Sequence, residues 1–336
     1  MDLSVIIPAY NMQGYIAACL RSVTRCPKEN IDMECLVVDD GSIDETAAIV
    51  KRYIERDQRI RLVSKENEGV SAARNRGIEE SSGRYIMFLD ADDRLCEDAW
   101  EQIEAAVEEE YADFTAFSYI SLYENGKFRA QMLPLSDVVS TDGQEAAKLM
   151  YADSVFNTCW GKLFKSDIVK ENHITFRTDL PVGEDFLFVA EYFGYCETYM
   201  MTKAMIVYYL QRSGSAMRSY SMADRLVFTR ILYNFSLAET ARHNDSELMG
   251  YMQVYYLKVL TNLFYEYAKV YRRDRESLMT VYKEALADET VNAILDAVDV
   301  CLIHSKRKIY EYRLLKGKDV LKIRRYFGLK ALIGRR

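Results

Sequence analysis

In the first quarter of the chain, short apolar runs alternate with longer amphipathic stretches. Leu3 to Ile7 is a β-branched run closed by Pro8, which has no N–H for a sheet ladder and is read as the end of the strand. Ile16, Leu20 and Val23 recur at helical spacing, and Cys35 to Val38 is a second buried run. The turn Gly41-Ser42-Ile43-Asp44 leads into an amphipathic helix marked by Ile49, Val50, Tyr53 and Ile54, and Ile60 to Val63 is a third strand. After the turn Asn67-Glu68-Gly69, Val70, Ala73, Gly77 and Ile78 form the inner face of a helix that carries Arg74 and Asn75. Tyr85 to Leu89 has no polar alternation, which suits a fourth strand covered on both faces. This alternation predicts right-handed βαβ crossovers and a mostly parallel sheet.

Further on, Trp100, Ile103 and Val107 mark a helix, Asp113 to Phe117 a strand, Tyr123 to Phe128 an Asn-Gly hairpin turn, and Ile206 to Leu210 another strand. From Ala223 the pattern becomes long, helical and free of proline. Leu226, Ile231 and Phe235 predict one helix, Met252, Tyr255, Val259, Leu263 and Tyr267 a second, and Leu278, Val281, Ala285 and Leu286 a third. The tyrosines between 251 and 282 face the core, an acceptor or a partner subunit of a homo-oligomer; the pattern alone leaves all three open.

The polar positions that interrupt these runs carry the chemistry. The fourth strand ends in Asp90-Ala91-Asp92-Asp93, and the second in Asp39 and Asp40. Open α/β sheets hold their ligands at the carboxyl ends of the strands, where Tyr10, Asp40, Arg74 and Asp92 are expected to gather. Three like charges fold best beside a cation. Oxygen donors without histidine or thiolate suit Mg²⁺ or Mn²⁺, held by one or two carboxylates plus substrate phosphates; an acidic solvated turn is the plainer alternative. Gly183-Glu184-Asp185-Phe186 places two acids at a helix start, where capping and dipole stabilisation are the plain alternative to catalysis. No GxGxxG or Walker lysine loop follows any strand, which disfavours dinucleotide-binding oxidoreductases and P-loop enzymes.

Composition narrows the classes further. With 336 residues, 49% hydrophobic and 28% charged, the chain can build one large core or two domains. Leu3 to Pro8 is too short for a signal peptide or membrane span, so a cytoplasmic protein is expected, and seven scattered cysteines without a CxxC pair fit reduced thiols. Three histidines make a histidine-ligated metal or a Ser-His-Asp triad a poor fit. The net charge of −7 is uneven. From Ile303 onward twelve Lys or Arg stand against Glu311 and Asp319, a balance of +10, so the preceding residues carry −17. The acidic body argues against nucleic acid as a partner. The basic tail, interleaved with Tyr310, Leu314, Tyr326, Phe327 and Leu332, is either a contact with the anionic face of the cell membrane or a basic helix docked on acidic protein.

Four motifs in order, SVIIPAYN at 4–11, VVDDGSIDET at 37–46, NEGVSAARNRGI at 67–78 and GRYIMFLDADD at 83–93, together resemble a family-two inverting glycosyltransferase of the GT-A fold. The resemblance runs from residue 3 to about 215. It implies an α/β GT-A nucleotide-sugar-binding domain over residues 1–217, with a donor half at 1–95 and an acceptor half at 96–217, followed by an α-helical appendage with its basic tail at 218–336. It further implies a nucleotide-diphosphate sugar donor, a UDP-sugar, a divalent metal (Mn²⁺ or Mg²⁺) and a glycan or lipid-linked acceptor of cell-surface polysaccharide synthesis. Carried over by position, Pro8, Tyr10, Asp39, Asp40, Arg74, Asn75, Asp90 and Ala91 belong to the donor site, and Asp92 to the metal. Asp185 takes the role of general base, with Glu184 and Asp93 in support. Gln211-Arg212-Ser213-Gly214 resembles a family loop over the diphosphate, which makes Arg212 a donor contact with Arg218 in reserve. Trp160-Gly161-Lys162-Leu163-Phe164 also resembles a family segment, its aromatics being core or acceptor wall. A sugar-nucleotidyltransferase would carry a glycine-rich, Arg/Lys-bearing loop after the first strand, which AYNMQGY lacks. A non-catalytic nucleotide-sugar scaffold is disfavoured by the joint presence of Asp92 and Asp185.

Overall fold

The computed structural model describes residues 1–27, 31–108, 112–133, 138–140, 148, 151, 158–180, 182–212, 222–243 and 246–333. It forms two compact units, Met1–Arg218 and Ser219–Arg336.

The first unit runs β1 (Leu3–Ala9), α1 (Ile16–Val23), β2 (Met33–Asp40), α2 (Thr46–Ile54), β3 (Ile60–Lys65), α3 (Val70–Glu80), β4 (Tyr85–Phe88), β5 (Arg94–Leu95), α4 (Ala99–Glu108), β6 (Phe114–Tyr123), β7 (Phe128–Gln131), β8 (Val138–Ser140), β9 (Lys162–Lys165), α5 (Ser166–Glu171), α6 (Glu184–Phe193) and β10 (Tyr199–Gln211). Sheet order is β3-β2-β1-β4-β9-β6-β10-β5, with β7 on β6 and β8 on β10. The first four strands pair in parallel, as the crossover pattern predicts. Every residue of β1 and β2 is buried, whereas edge strand β3 is only partly so, which follows from helices covering both faces at the centre. α3 packs so closely on β1 that a Cβ at Gly77 would lie 2.3 Å from Ile6 Cγ2.

Pro8 does not end its strand. β1 continues through Ala9, and Pro8 is paired with Val38. The physical reason is that β4 pairs with β1 only as far as Ile6, whose carbonyl accepts the Leu89 N–H. Pro8 faces the same side as Ile6, beyond the end of that ladder, where its missing N–H costs nothing. Two further features escape a reading by alternation. β9 enters antiparallel between β4 and β6, and the two-residue β5 pairs antiparallel with Val207 and Tyr208 of β10. The Asn-Gly turn is present, with Gly126 at φ 79°.

The second unit comprises α7 (Met222–His243), α8 (Ser246–Val270), α9 (Arg275–Ala287), α10 (Glu289–Ala297), α11 (Lys306–Lys316) and α12 (Val320–Ile333). Its tyrosine stripe is core in part: Tyr255, Tyr256, Tyr267 and Tyr282 are buried, the Tyr282 hydroxyl donates to Phe264 O, and Tyr251 is exposed. The basic tail folds as α11 and α12, and α12 packs Ile323, Phe327 and Ala331 inward beside α8. Many of its cations have local carboxylate partners. Arg307, Lys308, Lys330 and the Tyr326 hydroxyl converge on Glu311, which has no exposed surface. Burial works against ionisation of Glu311, but Lys330 and Lys308 pull it down to about 2. Among the described residues, no helix is long and apolar enough to cross a membrane.

Candidate active site

Two loops at the carboxyl edge of the sheet are laced together by side chains that substitute for backbone partners. Asn11, at φ 54°, takes its N–H to Ser42 Oγ and accepts the Ile43 N–H on Oδ1. Met12 and Gln13 donate to Thr46 Oγ1 and Asp44 Oδ2. Asp39 is buried and accepts the Ser42 N–H, while Tyr10 stands 43% exposed beside the lacing. Asp40 acts inside the fold: it accepts from Lys65 Nζ at 2.7 Å and from the Glu68 and Gly69 N–H groups, fixing the entry to α3. Asn75 likewise closes a two-bond clamp on the Phe176 backbone. The geometry brings neither Asp40 nor Asn75 into the cluster of carboxylates described next.

That cluster is assembled on Arg74, whose side chain is only 4% exposed. Its Nη1 donates to Asp185 Oδ1 at 2.7 Å and Glu184 Oε1 at 3.1 Å, and its Nη2 to Asp90 Oδ1 at 3.1 Å. One planar guanidinium thus joins the end of β4 to the start of α6, a task suited to arginine's rigid fork. Its carbon lies 5.2 Å from the centre of the Phe176 ring, itself stacked on Phe188 of α6. Capping of α6 is not what Asp185 does. No side chain caps this helix, and Gly183 enters it at φ 88°. Asp185 Oδ2 instead accepts the Cys159 N–H at 3.2 Å. Among the described residues Arg74 bonds one of its oxygens and the Cys159 N–H the other, and the Cys159 thiol also engages the carboxylate.

The β5–β10 pairing supplies the other wall. It brings the Leu210 N–H to Asp93 Oδ1 at 2.7 Å and Arg212 Nε to Asp92 Oδ2 at 2.5 Å, across 120 positions of sequence. Pro8 and Ala91 are buried backbone neighbours of these loops. Trp160 is core: 5% exposed, it stacks on Tyr209 at 4.9 Å and meets Tyr119 edge-on. The accessible parts of that aromatic group belong to Tyr119 and Tyr209, which sequence reading did not single out. Arg218 lies outside the described residues.

Four carboxylates (Asp90, Asp92, Glu184 and Asp185) share the two guanidiniums of Arg74 and Arg212 in the ion pairs found among the described residues, and the neighbouring Asp93 is in none of them. The excess shows in their proton affinities. Burial and the neighbouring Asp90 and Asp92 push the Asp93 carboxyl well above its ordinary range, and its Oδ2 is buried without a hydrogen-bond partner. Burial and the charge of Asp185 push Glu184 up to about 7, against Arg74. Hard oxygen donors in negative surplus fit a divalent cation. Among the described residues no three His, Cys, Asp or Glu form a group that could hold a metal ion.

Known proteins now bear on this site. The chain resembles GlyA of Streptococcus pneumoniae, a glycosyltransferase, at 31% identity over 227 residues, 65% of this chain and 32% of that one. It is 24% identical over 328 residues to TarS of Staphylococcus aureus, a poly(ribitol-phosphate) β-N-acetylglucosaminyltransferase, covering 95% of this chain and 54% of TarS. It spans 58% of the putative glycosyltransferase EpsH of Bacillus subtilis at 30% identity, so it covers less than two thirds of each of these relatives. Among solved structures, TarS residues 1–349 in complex with UDP-GlcNAc matches with a TM-score of 0.65 and 22% identity, over 99% of this chain and 92% of that one. This likeness establishes the GT-A fold. The model of glycosyl transferase family 2 matches residues 4–172, which include β1, Asp40, Arg74 and the Asp90–Asp93 segment; the chain belongs to glycosyl transferase family 2.

Proposed function

We propose that this chain is a metal-dependent inverting glycosyltransferase that moves a sugar from a nucleotide-diphosphate donor, a UDP-sugar, to a hydroxyl of a glycan or lipid-linked acceptor in cell-surface polysaccharide synthesis. The observation that carries this reading is Asp185, held by Arg74 and Cys159 in one cluster with the carboxylates at the end of β4. TarS, a relative with this fold, has been solved with UDP-GlcNAc and with UDP.

An acceptor hydroxyl is a poor nucleophile until a base takes its proton. Asp185 accepts that proton as the oxygen bonds to the anomeric carbon, a contribution of roughly 10² to 10⁴ in rate. The bond from that carbon to the donor diphosphate breaks on the opposite face, so one displacement inverts the configuration without a covalent intermediate. Arg74 keeps Asp185 and Glu184 in place. Asp92 would hold a divalent cation, Mn²⁺ or Mg²⁺, which supplies charge stabilisation to the departing diphosphate. Arg212, paired here with Asp92, adds a second positive charge at that end of the site. Asp39 and Tyr10, on the laced loops, form the base and ribose side.

The tail supports attachment to the anionic inner face of the cell membrane. α12 turns Leu321, Leu329, Leu332 and Ile333 outward, each about half exposed or more, with Lys322 and Arg325 also exposed. The enzymatic reading is tested by a panel of nucleotide sugars assayed for Mn²⁺-dependent nucleotide release, with and without lipid acceptors. Release from one donor that depends on acceptor supports it; a flat panel without nucleotide binding overturns it.

A further inference from the structure

Lys162 of β9 is 1% exposed, and no other buried lysine is found among the described residues. Its ammonium donates to Thr158 Oγ1 at 3.0 Å and to Trp160 O at 3.1 Å, and it lies 5.9 Å from the centre of the Trp160 ring. These two bonds straddle Cys159. The Cys159 N–H in turn donates to Asp185 Oδ2, and its thiol also engages that carboxylate. Withdrawing an ammonium from water is costly, and a methionine would fill the same space without that cost. Packing therefore does not account for the charge. Burial draws this lysine down to about 8, against the neighbouring Asp185, which favours its charged form.

We propose that Lys162 is a positioning residue for Asp185: it pins the Thr158–Trp160 segment so that the Cys159 N–H meets Oδ2 and the carboxylate is held in place for the acceptor. Two anchors hold that carboxylate: Arg74 on Oδ1 and, on Oδ2, the Cys159 N–H of the segment that Lys162 bonds before and after it. Arg74 is a divided anchor, because its guanidinium also bonds Asp90 and Glu184. The inference rests on the reading of Asp185 as the base.

The test uses the full chain with Lys162→Met and Lys162→Gln, the latter keeping a donor without the charge, and Asp185→Asn as reference. Turnover is followed as UDP release from UDP-N-acetylglucosamine, with thermal melting and Cys159 amide exchange measured in parallel. Both Lys162 variants are expected to melt near wild type and keep the donor KM. In Lys162→Met kcat should fall roughly tenfold and the Cys159 amide should exchange faster; Lys162→Gln, which keeps a donor, should recover part of both. Wild-type kcat in Lys162→Met, or no recovery in Lys162→Gln, overturns the proposal. Wild-type turnover in Asp185→Asn would instead overturn the base reading, and Lys162 is then judged on the Cys159 amide, whose unchanged exchange overturns it too.

Discussion

Both units bury carboxylates, and they treat them in opposite ways. In the second unit Glu311 has no exposed surface and is met by Lys308, Lys330, Arg307 and the Tyr326 hydroxyl. In the first unit four carboxylates share two guanidiniums, Glu184 is raised to about 7 and, among the described residues, Asp93 Oδ2 is unpartnered. A carboxylate met by its own cations holds a fold together. A surplus of one sign costs stability, and such surpluses cluster at functional sites.

The comparison is sharpened most by Asp185→Asn, expected to lower turnover by roughly 10² or more while UDP affinity, read by calorimetry, stays near wild type. Parallel loss of binding would move Asp185 out of the role of base. On the other side, Glu311→Gln should destabilise the helical unit by about 3 kcal/mol in urea unfolding, since it leaves clustered cations without their counter-charge. The pH signature has a definite sign. Glu311 is lowered in the fold, so its contribution is present above its ordinary value of 4.5 and lost as pH falls through about 2. The variant should lack that loss.

Glu184 has the reverse sign. Its raised value means that the fold favours the protonated form, so its stabilisation is full below 4.5 and lost as pH rises through about 7. Glu184→Gln should therefore gain stability relative to wild type between those limits, on the order of 1 kcal/mol; parallel curves would show that the surplus is not felt there. The smallest effect concerns the outer face of α12. Changing Leu329, Leu332 and Ile333 together to Asn should abolish salt-sensitive sedimentation with anionic vesicles and leave thermal stability within error. These positions are chosen because deletion of the tail would also remove buried Phe327 and Lys330.

What the sequence revealed was local. Strand runs, the Asp90–Asp93 segment and the Gly183–Asp185 helix start are contiguous, and the helical patterns after Ala223 match α7 to α9 in place. What it hid depends on contacts distant in sequence. Nothing near Arg74 signals that its guanidinium bonds a residue 111 positions away, and a two-residue strand such as β5 leaves no periodic trace although it aligns Arg212 with Asp92. Pro8 was misplaced because the residue pattern does not show where the neighbouring ladder stops. The basic tail reads as charge excess, yet several of its cations converge on one glutamate within the same unit.

The central claim is that the carboxylate surplus of the first unit is completed by a divalent cation and a nucleoside diphosphate. Calorimetric titration of the full chain with UDP, in Mn²⁺ and again in excess chelator, tests it directly, with Asp92→Asn run alongside. The account predicts strong binding in Mn²⁺, and a loss of at least tenfold in affinity both in chelator and in Asp92→Asn. Equal UDP affinity with and without the metal, unaffected by Asp92→Asn, would contradict it.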